Sequence, residues 1–185
     1  MLLQFKYIRG GPCKNYKTKT RAKQKEICLN KLTSAEIGKL WITYMGNSMA
    51  RCVLRYFLQN VDDANIRDVL NEALQLADRF TRTVDNIFTQ EGHPVPIGYT
   101  EEDVNVEAPR LYADEFYLHY LKYTSKAGIS IYGIAVPFMS RPDVREFFTD
   151  CLVGNYVEDG ANTMIDLGWM EQPPQAADRN ALAKG

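Results

Sequence analysis

The sequence predicts an all-α protein, a four-helix bundle whose second and third helices are joined by a long crossover connection. Two observations carry this. Four stretches repeat apolar residues at the spacing of a buried helix face, and 19 residues unsuited to a regular helix separate the first pair from the second. That stretch, residues 92–110 (GHPVPIGYTEEDVNVEAPR), holds three prolines, two glycines and an acidic triplet. The turns inside each pair, at 60–63 and 140–143, are short. An up-and-down bundle needs only a few residues between its second and third helices. Nineteen extended residues reach roughly 60 Å, more than a helix length. The connection can therefore run along the whole bundle and set helices two and three parallel, the ferritin-like arrangement.

The first helix starts at a capping box, Thr33-Ser34-Ala35-Glu36, in which the hydroxyl covers an orphan amide and the carboxylate reaches back. Its apolar stripe runs through Ile37, Leu40, Trp41, Tyr44, Met45, Cys52 and Tyr56 to an end near Asn60. Gly46, Asn47 and Ser48 interrupt the stripe, and their small size suits close helix approach. Asp62 or Asp63 caps the second helix, whose stripe includes Ile66, Val69, Leu70, Ala77, Phe80, Val84 and Phe88; Gly92 terminates it. Within the connection, residues 101–106 suit a short helical turn, since unstructured loops of this length are uncommon. The third helix begins near Leu111 or Tyr112 and ends at Pro137. It is apolar on more than one face, which places it centrally or against a second subunit. Pro142 opens the fourth helix at a position where its missing N–H costs little. That helix buries Val144, Phe147, Phe148, Cys151, Val157, Ala161 and Ile165, closes at Gly168, and is followed by Trp169 packing back on the bundle.

Composition is that of a globular chain, 45% hydrophobic and 24% charged over 185 residues. The bundle domain is expected over residues 32–174, between a basic extension at 1–31 and a polar tail at 175–185. The extension carries nine Lys or Arg against one acid, leaving 13 basic and 22 acidic residues for the remainder. Such a run is expected to be a solvated tail, or sequence upstream of the true start. Nucleic-acid binding through it is the third-ranked reading, because nothing beyond charge supports it. No apolar run reaches a membrane span, and the order of apolar and basic residues at the start is the reverse of a signal peptide. Cys13, Cys28, Cys52 and Cys151 form no zinc spacing, which suits a reduced, intracellular, cytoplasmic protein.

No nucleotide or hydrolase motif is present. Gly128 to Gly133 (GISIYG) reads as a close-packing segment of the third helix, not as a phosphate loop. A ferritin-like outline invites a search for the di-iron set, which takes Glu-x-x-His on two helices. Gln90 precedes His93 by three and Phe116 precedes His119 by three, so that set is absent. The metal-ligating candidates that remain are Glu115 and His119, four apart on the third helix, with Glu158 on an otherwise apolar face of the fourth. A carboxylate on such a face needs a partner. Arg51 and Arg55 are the simpler partners for Glu158; a mononuclear iron, manganese or zinc site is the sharper alternative.

Four runs carry a family resemblance: LTSAEIGKLWITY (32–44), GYTEEDVN (98–105), SRPDVREFF (140–148) and DLGWMEQPP (166–174). Together they resemble an uncharacterised family of ferritin-like helical proteins from Bacillus and relatives, some of which are described as spore coat proteins related to coat protein F. Many members carry two tandem units and this chain one. The resemblance implies no known activity and assigns no catalytic residue. It implies a structural or interaction protein of the sporulating cell that forms homo-oligomers and binds coat partners, with no cofactor. The competing class is a degenerate ferritin-like metal- or small-ligand-binding protein, possible as an oxidoreductase, using Glu115, His119 and Glu158.

Overall fold

The computed structural model describes residues 31–154 together with Gly168. The basic extension up to residue 30 with Cys13 and Cys28, the fourth helix beyond Gly154 with Val157, Glu158, Ala161 and Ile165, and Trp169 with the tail at 175–185 lie outside the described residues. The described residues form four α-helices and no strand: α1 (Ser34–Asn60), α2 (Ala64–Gln90), α3 (Asp114–Ala135) and α4 (Pro142–Val153). Two 3-10 turns, Glu101–Asp103 and Val136–Phe138, complete them.

The caps follow the sequence. Thr33 and Glu36 form the capping box of α1, and the Asp63 carboxylate accepts from the Asn65 and Ile66 amides at the start of α2. Gly92, with φ 68°, follows the end of α2, and Pro142 occupies the first turn of α4. The start of α3 differs, falling at Asp114 and not at Leu111 or Tyr112. The Tyr56 hydroxyl donates to the Pro109 carbonyl at 2.8 Å and accepts from the Leu111 amide at 3.0 Å, which keeps that stretch extended. Trp41, placed on the buried stripe by its spacing, touches Phe88 at one edge but is 42% exposed.

Contacts along the helices fix their directions. Trp41 meets Phe88 and Arg51 meets Asp78, so α1 and α2 are antiparallel. Phe57 packs on Tyr120 and Asn47 bonds Tyr132, so α1 and α3 are antiparallel as well. Helices α2 and α3 are consequently parallel, and the 92–110 connection must cover a helix length of roughly 40 Å. It does so strapped to α1. Tyr99 donates its amide to Ser48 Oγ at 3.0 Å, the Cys52 thiol donates to the Thr100 carbonyl at 3.0 Å, and Arg55 pairs with Glu101 at 2.6 Å.

A polar knot ties each end of the bundle. At the first, the wholly buried Glu36 carboxylate accepts from Thr33 N and Oγ1 and from the Ser140 and Arg141 amides, all at 2.8 Å. Arg141 then reaches Glu91 and Asp143. At the second, the Asp114 carboxylate accepts from the Asp62 and Asp63 amides, and Arg110 bridges Asp62 and Asp114. Between the knots the buried side chains fall into two clusters, one around Phe80, Val84, Phe88, Val144 and Phe148, the other around Leu54, Phe57, Leu70, Tyr117 and Leu118.

Candidate functional site

Glu115 and His119 do meet, with Oε1 and Nε2 3.5 Å apart on one face of α3. The pair is surface chemistry: the Glu115 side chain is 52% exposed and that of His119 30%. Glu158 lies outside the described residues, so its relation to the pair is not part of the geometry. The arginines expected to partner it are engaged elsewhere, Arg51 with Asp78 on α2 and Arg55 with Glu101 on the strap. Neither Asp78 nor Glu101 was singled out by the helix-face argument. Among the described residues no group of three His, Cys, Asp or Glu side chains could hold a metal ion. Glu115 and His119 offer a two-point pair among the described residues.

A more enclosed site lies between the two core clusters, where α1, α2 and α3 leave a cavity of about 290 Å³. Its walls include Leu54, Leu76, Phe80, Leu121 and Tyr132, drawn from both clusters. The small residues Gly46 and Ala50 on α1 and Ala127 and Gly128 on α3 open it. A Cβ added at Gly46 would meet nothing within 4 Å, so this glycine makes room and does not bring helices together, contrary to its reading as a close-approach residue. Six polar side chains stand in the wall, Thr43, Asn47, Tyr120, Thr124, Ser125 and Tyr132, and Thr124 Oγ1 is taken up by the Tyr120 and Leu121 carbonyls. Asn47 Nδ2 donates to the Thr43 carbonyl at 2.8 Å and to the Tyr132 hydroxyl at 3.1 Å. Burial pushes the Tyr132 phenol up to about 12, against the lowering effect of that Asn47 bond. Thr43 is 2% exposed and its Oγ1 has no hydrogen-bond partner.

The outer surface of the same helices is apolar. Along α3 and its 3-10 extension, Phe116, Tyr123, Ile131, Ile134 and Phe138 recur at helical spacing, and each is at least 41% exposed. On α1, Trp41, Ile42 and Met49 are exposed too, Ile42 by 54%. The all-round apolar character of the third helix in the sequence thus becomes one buried face and one uncovered face.

Residues 22–182 match the family described as "Protein of unknown function (DUF3231)". The chain belongs to this family. Its fold is also that of a solved crystal structure, a "putative spore coat protein" from Bacillus halodurans C-125, at a TM-score of 0.71. The two sequences are 17% identical, and the likeness covers 84% of this chain and 99% of the other. No curated protein matches the chain. At that identity the solved structure speaks for the helical fold, and the DUF3231 match assigns no chemistry to either the surface pair or the cavity. No described helix is long and apolar enough to cross a membrane.

Proposed function

We propose that this DUF3231 member is a structural or interaction protein, a ferritin-like bundle that self-associates through the apolar surface of α1 and α3 and serves in the spore coat. The observation that carries the reading is the row Phe116, Tyr123, Ile131, Ile134 and Phe138, since large apolar side chains set in series on a surface suit a protein contact. The parallel α2 and α3 joined by a full-length crossover support the ferritin-like part. The spore-coat part draws on the description of the structurally similar Bacillus halodurans protein. Light scattering on a sizing column tests the assembly. The wild-type chain is expected to run as a dimer or larger species, and an Ile134→Lys, Phe138→Ser variant to weaken association at least about tenfold while keeping its helical circular dichroism. A monomeric wild-type chain at high micromolar concentration would overturn the proposal.

A second reading is favoured by one observation, the Glu115–His119 pair. In it, Glu158 completes a degenerate site for iron, manganese or zinc. Elemental analysis of protein purified without added metal separates the two. Stoichiometric metal that disappears in a Glu115→Ala, His119→Ala variant would move the assignment to metal binding, and metal-free protein would remove this reading.

A further inference from the structure

We propose that the cavity between α1, α2 and α3 is a binding site for a small uncharged molecule, mostly apolar and carrying one hydrogen-bond acceptor such as a ketone or ester carbonyl. Three features define that ligand class. The first is size. About 290 Å³ lies just under the range of small-molecule pockets, and a cavity of half that volume accommodates a benzene ring. An eight-carbon chain or a bicyclic ring is therefore the right scale. The second is charge. Among the described residues that line the cavity none is Asp, Glu, Lys, Arg or His. A charged ligand would be buried without a partner, which is strongly unfavourable.

The third feature is the polar edge. Thr43 Oγ1 is buried and without a partner. The Tyr132 hydroxyl already accepts from Asn47 and keeps its own proton for donation, with no acceptor among the described residues. These two hydroxyl donors in one wall of a mostly apolar cavity, that of Tyr132 held by Asn47, are complementary to an acceptor oxygen. A purely structural void would not favour an orphaned hydroxyl, because an unsatisfied buried polar group is costly and Val would fit the same space. The division of the core into two clusters, with this space between them, fits a site kept open. Ile42, Met49 and Ile131 line the cavity and are themselves exposed, so the molecule has an entry from the surface. The inference rests on the cavity and not on the assembly reading, and Ile42, Met49 and Ile131 at its entry belong also to the surface assigned to assembly.

Titration of the full-length protein with 2-octanone, n-octane and octanoate at pH 8 tests the site, followed by methyl NMR of Ile42 and Ile131 and by calorimetry. Saturable binding of 2-octanone at one per chain is expected, with octane about tenfold weaker and octanoate weaker still. Thr43→Val should abolish the preference of ketone over alkane while leaving the free protein at least as stable. Gly46→Leu, whose side chain grows into open space, should fold and lose binding of both. Absence of saturable 2-octanone binding, or binding that survives Gly46→Leu in a folded protein, would overturn the proposal. So would a ketone preference unchanged by Thr43→Val.

Discussion

Glu36 shows how much one side chain can hold when its charge is fully used. Burial alone would raise its pKa; the amides of Arg141, Thr33 and Ser140 and the Thr33 hydroxyl outweigh it, and the net direction is below the ordinary 4.5. A carboxyl with a depressed folded value adds stability that is fully present above the unfolded value and lost as pH falls through the folded one. The Glu36 contribution should therefore persist at neutral pH and disappear only below about pH 4.5. Glu36→Ala leaves four donors without their acceptor and should cost about 3 kcal/mol in urea unfolding at pH 7, with the difference from wild type shrinking as pH falls below about 4.5. Half of this was legible. The spacing of Thr33 and Glu36 announces a capping box, but the bonds to Ser140 and Arg141 join positions 104 and 105 residues apart, and no local pattern encodes them. The runs at 32–44 and 140–148 that carry the family resemblance meet at this carboxylate. Arg51 and Arg55 show the same limit from the other side: a helical face says that a charge wants a partner, and only the fold says which.

At the scale of elements, the 92–110 connection behaves as a fifth structural piece. Its length was enough to predict a crossover and parallel central helices, and the rarity of long unstructured loops to predict a helical turn over 101–106, which is found as a shorter 3-10 turn at Glu101–Asp103. Its fastening to α1 was not legible, because Ser48 and Cys52 look like ordinary helix residues until the strap lies over them. Gly98 is where strap and helix come closest. Its φ is 67°, and an added Cβ would stand 2.7 Å from Tyr44 Cε1 and 2.8 Å from Ser48 Oγ. Gly92 has nearly the same φ, 68°, with nothing within 4 Å. Gly92→Ala should therefore cost only the left-handed backbone term, about 1 kcal/mol, and Gly98→Ala about 2–3 kcal/mol because crowding adds to it. Cys52 supplies a local reporter. It is buried beneath Thr100, with its thiol pushed up first by burial and then by Asp103. Alkylation of Cys52, followed by mass spectrometry, should be at least about tenfold faster in Gly98→Ala than in wild type. Cys151, in the core on α4, should stay protected in both and so separate strap opening from global unfolding.

For the whole molecule, the sequence was informative about what the helices bury and much less so about what they leave between them. The stripe of α2 came through intact, because Phe80, Val84 and Phe88 obey a single period and face one core. The cavity did not, since Gly46 and Gly128 read equally well as surfaces for close contact, and only the spacing of three helices decides that they frame a space. The excess apolar surface of the third helix pointed to a partner, and the structure shows which side chains are uncovered. The two polar knots raise a question that belongs to the molecule entire: whether its ends are energetically coupled. Glu36 and Asp114 sit at opposite ends of helices roughly 40 Å long, with separate hydrogen-bond partners and a core cluster each. Groups that far apart with no shared contact act additively when both states are single cooperative ensembles. Asp114→Ala should cost about 1–2 kcal/mol, less than Glu36→Ala because its carboxylate is partly exposed. The double variant should match the sum within about 0.5 kcal/mol in urea unfolding followed by circular dichroism. A double variant that loses much less than the sum, with a broadened or two-step transition, would show that the two clusters flanking the cavity melt as separate units.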